Sequence, residues 1–220
     1  MPITTIATKT EFAKSVIKDA VDKHNEKVAV SCSFGKDSIV VLHLALQVKK
    51  DIPVFTVTTK YFPRETFDYK DRIMRLWNFK LKEYKSEKYV DPNLKKTNPD
   101  KCCYALKVEP TKQAVKNLNG WITGLRNTEG RTRKAYSIIE ENGSLIKYNP
   151  ILSWTELDVW KYIAIYQIPV HPWYKLGYRS LDCAPCTHLI SDDQGEREGR
   201  WMGTSKCGGE CGIHTKILKR

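Results

Sequence analysis

The feature that most constrains this chain is a short β-branched run that feeds almost directly into an apolar helical stretch. Residues 27–33 read KVAVSCS, residues 37–48 are strongly apolar, and only Phe34, Gly35 and Lys36 lie between. A buried strand entering a buried helix through so tight a turn is the first half of a βαβ unit. The pattern then continues. Residues 53–58 (PVFTVT) predict a second strand, 65–77 a helix, and 79–84 a weakly alternating third strand. Ahead of them, Phe12, Val16, Ile17, Ala20 and Val21 share one face of a helix over 10–22. This order predicts an α/β fold, a parallel sheet with helices on both faces.

Residues 85–101, with Pro92, Asn98 and Pro99, read as a loop, and 102–117 as a helix. GWITG at 120–124 predicts a strand. Residues 138–141 and 145–148 flank Asn142-Gly143, a hairpin signal. Ser153-x-x-Glu156 has the pattern of a capping box opening a helix over 157–166, ended by Pro169 and Pro172. From 177 onward glycine rises and Cys183, Cys186, Cys207 and Cys211 appear. We expect one domain over 1–203 and a mobile C-terminal tail over 204–220 of the kind that closes over a site. No internal repeat is evident.

Composition narrows the function. With 220 residues, 41% hydrophobic and 28% charged, the chain is neither disordered nor collagen-like. No apolar run approaches the roughly 18 residues of a membrane span. The opening MPITTIATKTEF lacks a secretory pattern, so a cytoplasmic location is expected. Thirty-seven Lys and Arg against 25 Asp and Glu give +12, a charge that attracts nucleic acid, nucleotides or phosphate and sulfate esters, or merely solvates the surface. Seven cysteines in such a chain suggest metal or thiol chemistry rather than a disulfide framework.

Three motifs carry chemistry. SCSFGKDS (31–38) sits between strand and helix, where backbone N–H groups and the helix dipole favour an anion. Gly35 permits close backbone approach, Ser33 and Ser38 add hydroxyls, and Lys36 adds a cation. An ordinary capped βα turn gives the same pattern, and GxxxxGK[ST] is absent. Cys102-Cys103 and Cys183-x-x-Cys186 offer four thiolates, enough for zinc or an iron–sulfur cluster, although buried free thiols pack equally well. Cys211, in a glycine-flanked tail beside His214, is a candidate nucleophile whose pKa nearby cations would lower; a frayed terminal cysteine is the plainer alternative.

SCSFGKDS also resembles the SGGKDS loop of the PP-loop adenine-nucleotide α-hydrolase superfamily, with Phe34 in place of a glycine. Beyond it, KCCYALKVEP (101–110), WITGLRNTEGRTR (121–133), KYNPILSWTELDVWKYI (147–163), GYRSLDCAPCT (177–187), GEREGRW (195–201) and ECGIH (210–214) are similar, in order, to sulfonucleotide reductase motifs. The resemblance spans about 27–214 and is to the cluster-containing, assimilatory branch. It implies a 4Fe–4S cluster on Cys102, Cys103, Cys183 and Cys186, and Cys211 as catalytic cysteine. It further implies substrate contacts at Ser33, Gly35, Ser38, Gly124, Arg133, Arg197, Arg200 and His214, with Lys107 between cluster and substrate. Guanidinium forks suit phosphate and sulfate oxygens.

The implied reaction reduces adenylyl sulfate (APS) or its 3′-phosphorylated form (PAPS) to sulfite and AMP or PAP through an S-sulfocysteine. The resemblance implies thioredoxin or a similar dithiol as donor and a homo-oligomeric enzyme, with no membrane or nucleic-acid partner expected. The cluster motif favours APS, while SxSFG is similar to PAPS reductases. Some features depart from the family. Cys32 and Cys207 are extra, Thr59 and Lys60 replace part of an Asp-Thr-Gly, and the 121–133 segment is one residue short. By this reading no fused thioredoxin-like segment is expected after Cys211. Two other classes remain: an ATP-dependent tRNA-thiolating PP-loop enzyme, and a zinc-bearing nucleic-acid-binding module. The first lacks an RNA-binding element; the second leaves GEREGRW and ECGIH without a role.

Overall fold

The computed structural model describes residues 5–217. The first four residues of the opening segment and residues 218–220 of the expected tail lie outside that range. The elements follow in the order α1 (Ile6–His24), β1 (Val28–Ser31), α2 (Lys36–Val48), β2 (Val54–Thr58), α3 (Arg64–Trp77), β3 (Leu81–Lys85), α4 (Leu94–Thr97), α5 (Pro99–Cys103), α6 (Glu109–Val115), β4 (Gly120–Ile122), β5 (Ile139–Asn142), β6 (Leu145–Tyr148), α7 (Glu156–Ile165) and α8 (Ile213–Lys216).

The six strands form one sheet in the order β3-β2-β1-β4-β6-β5, parallel except for β5. The strand period of two divides the inner strands between two cores. Val28 and Val30 of β1 face α1, α2 and α7 together with Val54, Ile122 and Ile146. Ala29, Phe55 and Trp121 face the other way, against Ala114 and Val115 of α6 and Ile213 of α8. Edge strand β3 carries Lys82, Glu83 and Lys85, which discourages pairing with another chain. No described helix is long and apolar enough to cross a membrane.

Several local expectations need correction. The single helix expected over 102–117 is broken by a π-helical turn at Tyr104–Val108. Pro110 has no N–H and its ring crowds the carbonyl four residues earlier, so a regular α-helix cannot pass through it. The loop expected over 85–101 contains α4 and the start of α5. The cap of α7 is Thr155 with Asp158, not Ser153 with Glu156: Thr155 N donates to Asp158 (2.8 Å) and Asp158 N to Thr155 Oγ1 (3.2 Å). The hairpin pairs Asn142 with Leu145, so its loop is Gly143-Ser144, one residue late, with Gly143 at φ 62°.

Candidate functional site

The turn between β1 and α2 opens onto the carboxyl ends of the central strands. Cys32 N donates to Phe55 O (2.9 Å), extending the β1–β2 ladder into the loop. Phe34 then takes φ 61°, a left-handed conformation unusual for a bulky residue, and buries its ring edge-on against Tyr69. Ser38 Oγ accepts from Ser33 N (3.2 Å) and donates to Gly35 O (3.0 Å). Tyr174 Oη accepts from Lys36 N (2.7 Å), taking one of the free donors of the first turn. Gly35 has ordinary φ, and a Cβ there would meet only Tyr174 Oη and Ser33 Oγ, at 3.4 and 3.7 Å. The close backbone approach is made instead by Gly124, where a Cβ would lie 2.8 Å from Ser38 N and 2.9 Å from Ser38 Cα. Lys36 is not a free cation: it is buried, 2.9 Å from Glu196 and 2.6 Å from Arg179 O.

A cleft enclosing about 1200 Å³, part of it open to solvent, gathers Ser33, Gly35, Ser38, Lys107, Gly124, Arg133, Arg197, Arg200, Cys211 and His214. Every residue expected to touch substrate therefore borders one space, although they come from the β1–α2 turn and the start of α2, the π-turn, the segment after β4 and the chain beyond 195. Its basic side chains are already partnered. Arg133 and Arg197 both pair with Glu129 and with Glu210, closing a four-membered ring of charge. Lys107 and Arg200 share Asp182. Burial opposes ionisation of Glu129, Glu210 and Asp182, yet the neighbouring cations outweigh it and hold all three carboxyls well below the ordinary range. Arg197 Nε, Arg200 Nε and His214 Nδ1 are buried and have no partner among the described residues.

Cys211 lies in this cleft with its amide donating to Glu210 Oε1 (3.2 Å). The expectation that cations lower its pKa is reversed here: burial and the adjacent Glu210 raise it, and Lys107 only partly offsets them. His214 is stacked on Trp121, with centroids 5.8 Å apart and planes 13° apart. Burial, then Lys147 and Arg133, push its pKa well below the usual histidine value, so the ring is neutral. Cys32 is buried and its thiol is pushed up to about 11 by burial; Cys207 is exposed.

Cys102, Cys103, Cys183 and Cys186 border a second, smaller cavity with Tyr61 and Trp201, and all four are free thiols. Lys107 lines both cavities and so forms part of the wall between them. Burial raises all four thiols, Cys103 to about 11 and Cys183 to about 12, with Lys107 opposing. Among the described residues no three Cys, His, Asp or Glu side chains converge on a single point as ligands of one ion must.

The carboxylates Glu129, Asp182 and Glu210, which organise the basic side chains, received no role from sequence reasoning. Each stood inside a quoted motif, one to four residues from a named Arg or Cys, and that alternation of charge was the available signal.

Fold and cleft together define an α/β protein of the PP-loop adenine-nucleotide α-hydrolase type with a thiol in an arginine-lined cleft. The phosphoadenosine phosphosulfate reductase domain family matches residues 27–189, and the chain belongs to that family. It is 32% identical over 220 residues to an adenosine 5′-phosphosulfate reductase of Staphylococcus saprophyticus, covering 96% of this chain and 90% of the relative. An enzyme of the same name from Mesorhizobium japonicum is 37% identical over 204 residues, covering 89% and 79%. Among solved structures, the phosphoadenylyl-sulfate reductase of Candida auris in its phosphate complex superposes with a TM-score of 0.69 at 21% identity, over 86% of this chain and 98% of that one.

Proposed function

We propose that this protein is a sulfonucleotide reductase that converts APS, or PAPS, to sulfite and the corresponding nucleotide. The observation that carries the reading is the meeting of the tail thiol of Cys211 with the PP-loop and four cationic side chains in one cleft. Family membership and relatives named APS reductases support it, and they disfavour the tRNA-thiolating and zinc-module readings.

In this reading Ser33, Gly35 and Ser38 receive the phosphate side of the ester at the α2 N-terminus, and Gly124 keeps the loop in place. Arg133, Arg197, Arg200 and Lys107 neutralise the phosphosulfate, and neutral His214 offers a hydrogen bond without adding charge. Cys211 gives up its proton to solvent and attacks sulfur as the thiolate, with Lys107 favouring the charged form. An S–S bond forms as the S–O bond to phosphate breaks, and AMP or PAP leaves with that electron pair. An external dithiol such as thioredoxin then attacks Cys211 Sγ, expels sulfite, and is oxidised to its disulfide as its second thiol restores the Cys211 thiol.

The donor set at the second cavity fits a 4Fe–4S cluster held by Cys102, Cys103, Cys183 and Cys186. Such a cluster binds each thiolate to a different iron, so the four sulfurs need not share one point as zinc ligands do. When bound there, the group supplies a fixed electrostatic potential and cross-links α5 to the 183–186 segment. Within the same proposal, 1–203 is the nucleotide-binding unit, 204–220 the thiol-bearing tail, the assembly a homo-oligomer and the location the cytoplasm.

Side-by-side anaerobic turnover of APS and PAPS with thioredoxin tests the reading. Sulfite release from at least one, by protein holding iron and acid-labile sulfide in equal amounts, is expected. Release from neither defeats the functional reading, and zinc without sulfide defeats the cluster.

A further inference from the structure

Two arginines in the cleft, Arg133 and Arg197, each pair with two carboxylates. Arg133 and Arg197 each have Glu129 as a buried partner from the body of the fold. Glu210 is a second partner for both, contributed by the tail: Arg133 Nε donates to it at 2.7 Å and Arg197 at 3.3 Å. The same carboxylate accepts from the Cys211 amide at 3.2 Å, so the contact fixes the backbone of the nucleophile. Gly208 and Gly212, at φ 66° and 87°, lie on either side. A Cβ at Gly208 would meet nothing within 4 Å, so backbone conformation, not crowding, calls for glycine there.

Charge counting indicates what Glu210 replaces. Arg133, Arg197, Arg200 and Lys107 face Glu129, Asp182 and Glu210, leaving one positive charge. Without Glu210 two remain, which matches a phosphosulfate carrying one charge on phosphate and one on sulfate. Carboxylate and ester oxygens also use the same guanidinium donors. We infer that Glu210 is a resident substitute for the substrate anion: its carboxylate occupies the Arg133–Arg197 subsite in the empty enzyme, and the incoming phosphosulfate displaces it and releases the Cys211 backbone. The inference rests on the function proposed above. The tail is thereby tied down while the cleft is empty and freed when the ester arrives, which couples movement of the nucleophile to substrate occupancy.

The test compares APS binding to Cys211→Ser with binding to Cys211→Ser/Glu210→Gln, since neither variant turns the ligand over. A site blocked by its own carboxylate about nine-tenths of the time binds about tenfold more weakly, so Glu210→Gln is expected to tighten APS binding by about that factor. Adenosine, which carries no anion, should bind equally to both. Glu210→Asp keeps the charge with a shorter reach and should tighten binding by a smaller factor, about threefold; it serves as the readout if Glu210→Gln does not fold. Unchanged or weaker APS binding in the folded variants overturns the inference while leaving the function intact. Equal tightening of adenosine also overturns it, because the cleft would then simply be looser. If no variant binds APS better than adenosine, the function fails first and the inference with it.

Discussion

The two halves of the cleft are built on different physical principles. The loop after β1 is held by the sheet: Val30 N to Pro53 O at 2.8 Å, Cys32 N to Phe55 O at 2.9 Å, and an apolar core beneath it. The chain from 195 to 212 has no regular element. It is held by short turns, such as Arg200 N to Arg197 O at 2.9 Å, and by one isolated bridge between Thr187 and Arg200. Trp201, buried at φ 53°, anchors it with Arg200 over its ring at 4.4 Å. Backbone bonds to 186–188 aside, its remaining hold on the body is mainly ionic: Glu196 on Lys36 and Arg126, Lys206 on Asp100, and the pairs through Glu129, Asp182 and Glu210. The contrast teaches that the anion loop is positioned by packing and the nucleophile by charge, so the two should fail under different insults.

The largest expected effect comes from Asp182→Asn. It leaves Lys107 and Arg200 buried without their carboxylate, a change that typically costs about 3–5 kcal/mol. Hydrogen exchange should rise across 195–212 with the β1 and β2 amides unaltered. Uniform loss of protection would dissolve the distinction between the halves. Gly124→Ala attacks the other half. Its Cβ would press on the Ser38 backbone, and overpacking of this kind costs about 1–3 kcal/mol. Here the whole molecule should melt at lower temperature, and tail amides should follow the sheet rather than precede it.

Acid gives the smallest and most selective effect. The Glu129, Glu210 and Asp182 carboxyls titrate below their unfolded values, so the unfolded chain binds more protons and their stabilisation is present above those values. It is lost as pH falls from about 4.5 through the folded pKa values. Exchange measured at pH 7 and pH 4, corrected for intrinsic rates, should show the tail loosening first. Equal protection at both pH values would mean that charge does not hold the tail.

The same division explains what was legible in the sequence. The sheet was readable because β-branched runs and helical periodicity report local packing directly, as at Val28, Val30 and Val54. The residues singled out from the motifs all border one or the other of two cavities. What escaped depends on pairing across long separations. Nothing local to Lys36 announces Glu196, or to Arg133 announces Glu210, and so the rise in the Cys211 pKa was missed. The break at Tyr104–Val108 was available from Pro110, which the helical reading passed over.

The most direct test of the central claim is the fate of Cys211 when reductant is withheld. Enzyme mixed with APS or PAPS and no thiol donor should retain one sulfite, visible in the intact-protein mass and mapped to Cys211. Cys211→Ser should bind the nucleotide and form no adduct. An adduct on Cys32 or Cys207, or sulfite release by Cys211→Ser, would contradict the account.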